Sequence, residues 1–214
     1  MDQVEIDKWF DSVKRELETA YVARDELWQQ SGFLGSEERW IRLRRPIAEC
    51  IDKSGTFLDI GCANGYLIEC VTKWCAEMGI GVDPWGLDIS EKLVDLARRR
   101  LPQLVDRLFV GNAWTWIPPR RFDFVRTELD IVPEGLRQAF VKRLLTDFVQ
   151  PDGRLLVAEY RSRNDPVGTL WVNEYISAWG LVADSYRSGF DIDGREKTRV
   201  SIILSDTNSV TLNL

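Results

Sequence analysis

The sequence predicts an α/β fold, a doubly wound and mostly parallel sheet, on three observations. From Gly55 onward short apolar runs alternate with amphipathic helical segments, the pattern that needs helices packed on both faces of a sheet. The first apolar run falls directly into a turn of small residues, Gly61 to Gly65, and a helical segment follows at once. Polar residues recur where the first three runs stop: Asp59, Asp88 and Asn112.

Taken in order, residues 4–17 set Trp9, Val13 and Leu17 on one face and predict a helix. Residues 20–30 and 36–51 predict two more, separated by Ser31-Gly32-Phe33-Leu34-Gly35, where two glycines permit a hinge. Ser36, followed by Glu38 and Arg39, resembles a helix start. Strands are expected at 57–60, 85–89, 108–110, 122–126 and 155–160, and helices at 66–78, 90–100 and 134–148. Ser90 suits an N-cap, and Pro151-Asp152-Gly153 suits a turn ending the third of those helices. Beyond Tyr160, residues 169–179 read as helical and 181–186 and 199–204 as strands, with Asp191-Ile192-Asp193-Gly194 turning a terminal hairpin.

The 214 residues, 44% of them apolar, suffice for one compact core. A formal charge of −6 argues against a broad nucleic-acid-binding face. Local basic clusters at Arg42, Arg44 and Arg45, at Arg98 to Arg100, and at Arg120 and Arg121 read as solvated helix faces or loops. No run of about eighteen apolar residues exists and the N-terminus is charged, which predicts a cytoplasmic protein that does not engage a membrane. The cysteines, Cys50, Cys62, Cys70 and Cys75, lack paired metal-site spacing and read as reduced structural thiols. No metal is expected. The chain has no histidine, which removes Ser-His and Cys-His catalysis, so any general base is Asp, Glu, Tyr, Lys or Cys.

In a doubly wound sheet ligands bind beyond the carboxyl ends of the strands, where Asp59, Gly61, Asp88 and Asn112 converge. A carboxylate at Asp88 suits the two hydroxyls of a ribose, Asn112 suits an adenine edge, and Trp114 or Ile89 suits the face of a base. The dinucleotide fingerprint fails, because Gly61 is followed by Ala63 and Tyr66, with the later glycine at Gly65; a P-loop fails for want of a Lys-Ser or Lys-Thr pair. Singly, each polar residue has a plain structural role available: Asp59 as a turn acid, Asp88 as a helix-start acid, Asn112 as a loop residue.

The segments D-I-G-C-A-N-G, then G-L-D-I-S with E-K-L-V-D-L-A-R-R-R, then G-N-A, followed by F-D-F-V and P-D-G-R-L-L-V, together resemble the class I S-adenosylmethionine-dependent methyltransferases over about half the chain. The resemblance implies a seven-stranded sheet with an antiparallel last strand, helices on both faces, and the cofactor S-adenosylmethionine across strands one to three. It divides the chain into an N-terminal helical cap over 1–54 and a Rossmann-like domain over 55–214. Carried over by position, Asp59, Gly61 and Ala63 lie at the amino-acid end of the cofactor, Gly65 allows the close turn, Asp88 lies at the ribose and Asn112 and Ala113 at the adenine; Cys62, Ile89 and Trp114 complete the expected cofactor-binding set. Two departures stand out: Ala63 occupies a frequent glycine position, and Asn112 replaces a frequent Asp.

Methyl transfer is an in-line displacement, so alignment in a water-poor pocket is the main requirement. Substrate contacts are expected after strands four and five, from Thr127, Glu128, Asp130 and Tyr160, with Glu128 as general base or, alternatively, as a partner of Arg126 or of the cofactor's ammonium. Trp28, Phe33 and Trp40 are candidates for an aromatic lid, or for plain core. The acceptor is expected to be a small molecule methylated on O or N; RNA or protein methylation, and a non-catalytic cofactor-binding protein, are the alternatives. The oligomeric state is not encoded in any motif.

Overall fold

The computed structural model describes residues 2–162, 165 and 168–206. Helix α1, Gln3–Tyr21, opens on a capping box in which Asp2 and Glu5 each accept the other's backbone N–H. Helix α2, Glu37–Glu49, is capped by the Ser36 hydroxyl, as the sequence predicts. Then come β1 Gly55–Ile60, α3 Tyr66–Glu77, β2 Val82–Asp88, α4 Glu91–Arg100, β3 Leu108–Val110, β4 Phe122–Thr127 and α5 Arg137–Arg143. The chain continues through β5 Val149–Tyr160, α6 Val172–Tyr175, β6 Ser185–Phe190 and β7 Glu196–Leu204.

All seven strands form one sheet in the order β3-β2-β1-β4-β5-β7-β6. The first five are parallel, and β7 runs antiparallel between β5 and β6. Strand order reverses between β1 and β4, which opens a crevice at their carboxyl ends.

Alternation along the strands separates two cores. Leu58, Val125, Leu155 and Val157 cluster with Phe140, Val141 and Leu144 near α5 and with Ile6 and Phe10 of α1. Their sequence neighbours Phe57, Phe124 and Leu156 cluster instead with Ile47 of α2 and Val71 and Trp74 of α3. Helices therefore cover both faces. Each such side chain taken from water contributes roughly 1.5–3 kcal/mol before entropy is subtracted. Among the described residues no helix is long and apolar enough to cross a membrane.

Several expectations are corrected. Residues 20–30 do not form a second helix: α1 runs on to Tyr21, and only a short turn at Gln29–Ser31 is helical. Local turns replace the helix, with Arg24 N donating to the Tyr21 carbonyl and Gln29 N and Gln30 N to the Glu26 carbonyl, while tertiary contacts fix the segment: Asn64 Nδ2 donates to the Leu27 carbonyl at 3.0 Å and the Trp28 indole to the Gly35 carbonyl at 2.9 Å. The Pro151-Asp152-Gly153 turn is absorbed into β5 as a bulge. Val149 faces Phe122 while Arg154 already faces Phe124, and Asp152 adopts φ 61°. The strand expected at 181–186 begins instead at Ser185, since Leu181 is buried and closes the preceding helical turn by donating to the Ile176 carbonyl. The helix expected at 134–148 is a composite, α5 flanked by a 3₁₀ turn and by a wider π turn at Leu144–Phe148. The domain boundary expected at 214 lies outside the described residues.

Gly86, in the centre of β2, leaves no room for a side chain. A Cβ there would stand 2.8 Å from both Cys62 Sγ and Ile68 Cδ1 and 2.9 Å from Leu108 Cδ2. Gly86→Ala is therefore expected to destabilise the fold by about 1–3 kcal/mol, read as a lower urea midpoint with an unchanged slope.

Candidate functional site

A cavity of about 660 Å³ opens over the carboxyl ends of the central strands, beneath the N-terminal segment. Of the residues expected at the site, Gly61, Ala63, Asp88, Ile89, Asn112, Ala113, Phe33, Glu128, Asp130 and Tyr160 all line it. Asp59, Cys62, Gly65, Trp114, Trp28 and Thr127 do not.

The turn after β1 is built by backbone conformation. Gly61, Ala63 and Gly65 all have positive φ, 82°, 46° and 75°. Ala63 carries a Cβ in that left-handed region at a cost of about 1–2 kcal/mol, which explains why glycine suits the position. The amides of the turn are already engaged: Gly61 and Cys62 donate to the Leu87 carbonyl, and Ala63 donates to Asp88 Oδ2 at 2.8 Å. A ligand thus meets the turn by close approach to small residues rather than through those N–H groups. Gly65 packs against Ala97 and Leu101 of α4, and the buried Cys62 thiol, pushed well up by burial, lies over Gly86 in the core.

Asp88 closes β2 and clamps two segments. Its second oxygen accepts from Ser90 N at 2.9 Å, while Ser90 itself caps α4. The side chain is 5% exposed, and burial pushes its carboxyl up to about 6 in spite of those bonds. With about four lone-pair sites the carboxylate still has capacity for a ligand donor beyond these amides. Asn112 Oδ1 accepts from Trp114 N at 2.9 Å, which leaves its NH₂ to donate; Trp114 packs into the core.

At the other end of the cavity the organising group is Arg126. Buried at the end of β4, it donates to Asp59 Oδ1 at 3.1 Å, to Glu128 Oε1, and to the Tyr160 hydroxyl at 2.9 Å. Asp59 is thereby sealed beneath the site, fully buried, with its Oδ2 lacking a hydrogen-bond partner. Thr127 is buried as well, its hydroxyl donating to the Glu128 carbonyl. Asp130 lines the cavity and is itself exposed; partial desolvation by the surrounding wall, then the neighbouring Glu128, raise its carboxyl to about 6. Burial, with Glu128 and Asp130 nearby, likewise pushes Tyr21 up to about 12.

Arg44 departs from the expected solvated face. It is 8% exposed, lines the cavity, and stands 3.3 Å above the Tyr160 ring centroid, with Phe33 and Trp40 further off at 5.7 and 5.9 Å. Its Nη1 is buried without a hydrogen-bond partner. A run of three arginines on one helix gives no hint of which points inward. Trp40 is core, packed on Tyr66 and Trp74, so of the three lid candidates Phe33 alone reaches the cavity. Asn64, unassigned in the sequence, is fully buried and ties the N-terminal segment to the glycine turn by donating to the Leu27 carbonyl and to Gln30. Among the described residues no cluster of Cys, Asp or Glu is arranged to hold a metal ion.

The raised Asp88 carboxyl makes stability depend on pH. Below about 4 both folded and unfolded chains hold the proton; between about 4 and 6 only the folded chain does. Stability therefore falls as pH rises through that window and levels off above it. Asp88→Asn is expected to remove roughly 3 kcal/mol of that fall, measured as the difference in urea-unfolding free energy between variant and wild type across the window.

No family model matches the sequence, and no curated protein matches it. Solved structures do. The fold is similar to that of the 1,6-didemethyltoxoflavin-N1-methyltransferase of Burkholderia thailandensis, with TM-score 0.66 and 13% identity over 93% of this chain and 89% of that one. It is also similar to the magnesium protoporphyrin IX methyltransferase of Synechocystis, solved with bound S-adenosylmethionine, with TM-score 0.61 and 14% identity over 91% and 96% of the two chains. A methyltransferase of Aquifex aeolicus gives TM-score 0.58 and 15% identity over 89% and 97%. With the strand order and the crevice at its switch point, these similarities establish that the chain has the class I S-adenosylmethionine-dependent methyltransferase fold.

Proposed function

We propose that the protein transfers a methyl group from S-adenosylmethionine to an oxygen or nitrogen of a small molecule. The observation that carries the proposal is the convergence of Asp88, Asn112, the small turn at Gly61 and Ala63, and the unpartnered Arg44 guanidinium on one cavity. These groups match the parts of the cofactor in kind: a diol acceptor, an amide for a base edge, backbone that permits close approach, and a cation for a carboxylate.

When bound, S-adenosylmethionine supplies a methyl group on a positively charged sulfur. Asp88 accepts the ribose hydroxyls, Asn112 hydrogen-bonds the adenine edge, and Ile89 and Ala113 wall the base. Arg44, braced on Tyr160, holds the carboxylate, and Glu128 faces the ammonium. The Arg126 contact that orients Glu128 commits it to an ion pair. Asp130, with its carboxyl raised towards neutrality, is better suited to take a proton from an acceptor that must lose one. Helix α1 excludes water: its end is fixed over the ribose side by Glu18, which accepts from Ser90 Oγ at 3.0 Å and pairs with Lys92 at 2.8 Å.

Calorimetric titration with S-adenosylhomocysteine tests the assignment. Binding is expected in wild type, weakened roughly 10- to 100-fold in Asp88→Ala, as for loss of hydrogen bonds to a charged group. Affinity is expected to drop by up to about tenfold per pH unit below about 6, where Asp88 takes up a proton. Arg44→Met is expected to weaken S-adenosylhomocysteine while leaving methylthioadenosine, which has no carboxylate, unaffected. No binding at millimolar concentration, or binding indifferent to Asp88→Ala, would refute the proposal.

A further inference from the structure

Resting on the methyltransferase assignment, the geometry points to the chemical class of the acceptor: we infer that it is a small monoanion, a carboxylate on an apolar body, and that Lys197 is its counter-charge. Lys197 opens β7 and lines the same cavity beside the segment after β5, where Arg161 N donates to its carbonyl at 2.7 Å. It is 8% exposed, and its ammonium donates to the Ser162 carbonyl at 2.9 Å. Among the described residues it forms no ion pair within 4 Å. Two of its three donors are left for a ligand.

The surrounding charges make this significant. Arg39 and Arg161 line the same wall but are neutralised by carboxylates outside it, Arg39 by Asp191 at 2.9 Å and Arg161 by Glu159 at 3.3 Å. Asp165, which lies within the field of Lys197, spends its oxygens on the Ser162 amide and hydroxyl. Asp193 is paired with Arg195. With Arg44 given to the cofactor's carboxylate and Glu128 to its ammonium, Lys197 is, among the described residues, the cavity-lining cation on the acceptor side with no carboxylate at ion-pair distance; Asp130 lines the cavity too, but its charged neighbours are Glu128, Arg126 and Arg137. A cation held nine-tenths out of water with no carboxylate in direct contact is costly to fold, and a bound anion lowers that cost. One charge matches a carboxylate better than a phosphate dianion. Leu34 and Ile131 on the same cavity supply apolar contact for the rest of the molecule.

The test uses the full chain with and without S-adenosylhomocysteine, and as probes the matched pairs benzoate and benzamide, phenylacetate and phenylacetamide, and cinnamate and cinnamamide, followed by ligand-observed NMR titration. Each acid is expected to bind roughly tenfold or more tighter than its amide. That preference is expected to vanish in Lys197→Gln and to persist in Lys197→Arg, while S-adenosylhomocysteine affinity stays equal in all three proteins. If Lys197 were instead a proton acceptor, Lys197→Gln would leave the acid preference intact. Equal binding of acids and amides, failure of every acid to bind at millimolar concentration, or a preference that survives Lys197→Gln overturns the inference. Failure of wild type to bind S-adenosylhomocysteine overturns the methyltransferase assignment instead, and the acid–amide contrast is still read without it.

Discussion

The guanidinium of Arg126 joins the ends of three adjacent strands, accepting no bond itself but donating to Asp59 on β1, to Tyr160 on β5 and to Glu128 just past its own strand. Removing these charges from water costs several kcal/mol per ion, and their mutual attraction offsets this only when every bond is well made. The cost is met by a geometry that fixes the floor of the cavity. Tyr160 is held so that its ring carries Arg44, and Glu128 is turned towards the crevice. The unpartnered Nε of Arg126, Oδ2 of Asp59 and Nη1 of Arg44 are the places where the network stops short of full satisfaction. Of these, only the Arg44 group lies in the cavity wall; Asp59 is sealed beneath it.

The second anchor is Asp88. By holding Ala63 N and Ser90 N it couples the glycine turn after β1 to the start of α4, so one side chain shapes the turn and presents a carboxylate to the ligand. The N-terminal segment is fastened to these same points. Asn64 grips Leu27 and Gln30 from the turn, and Glu18 reaches Ser90 and Lys92 from α1. The roof of the cavity is thus tied to the glycine turn and to the start of α4, two of the structures that shape the cavity.

Much of the fold was legible because it rests on local patterns. The alternation of apolar runs with helical segments located the first five strands, and Ser36 and Ser90 marked helix starts through side-chain capping. The errors lie where distant contacts outweigh local preference. Residues 20–30 have helical composition, yet they fold into turns pinned by Asn64 on the Leu27 carbonyl and by the Trp28 indole on Gly35; Pro151 to Gly153 have turn composition, yet β4 draws them into a bulged strand. At the site, the residues at strand ends were legible because a strand's carboxyl end faces the crevice whatever its side chain. Arg44 was not, because three arginines in four residues differ only in the angle at which the helix packs.

The sequence by itself determined the order of strands and helices, the left-handed turn at Gly61 to Gly65, and the carboxylate and amide at the ends of β2 and β3, since each follows from local conformation and hydrophobic period. Tertiary structure alone decided which charges face the ligand. It buried Asp59 under Arg126, committed Glu128 to that same arginine, turned Arg44 inward onto Tyr160, and left Lys197 in the cavity wall without an ion pair. The physical reason is that the energy of a charge depends on its distance to partners and on the water it has lost, and both are set by groups far apart in the chain.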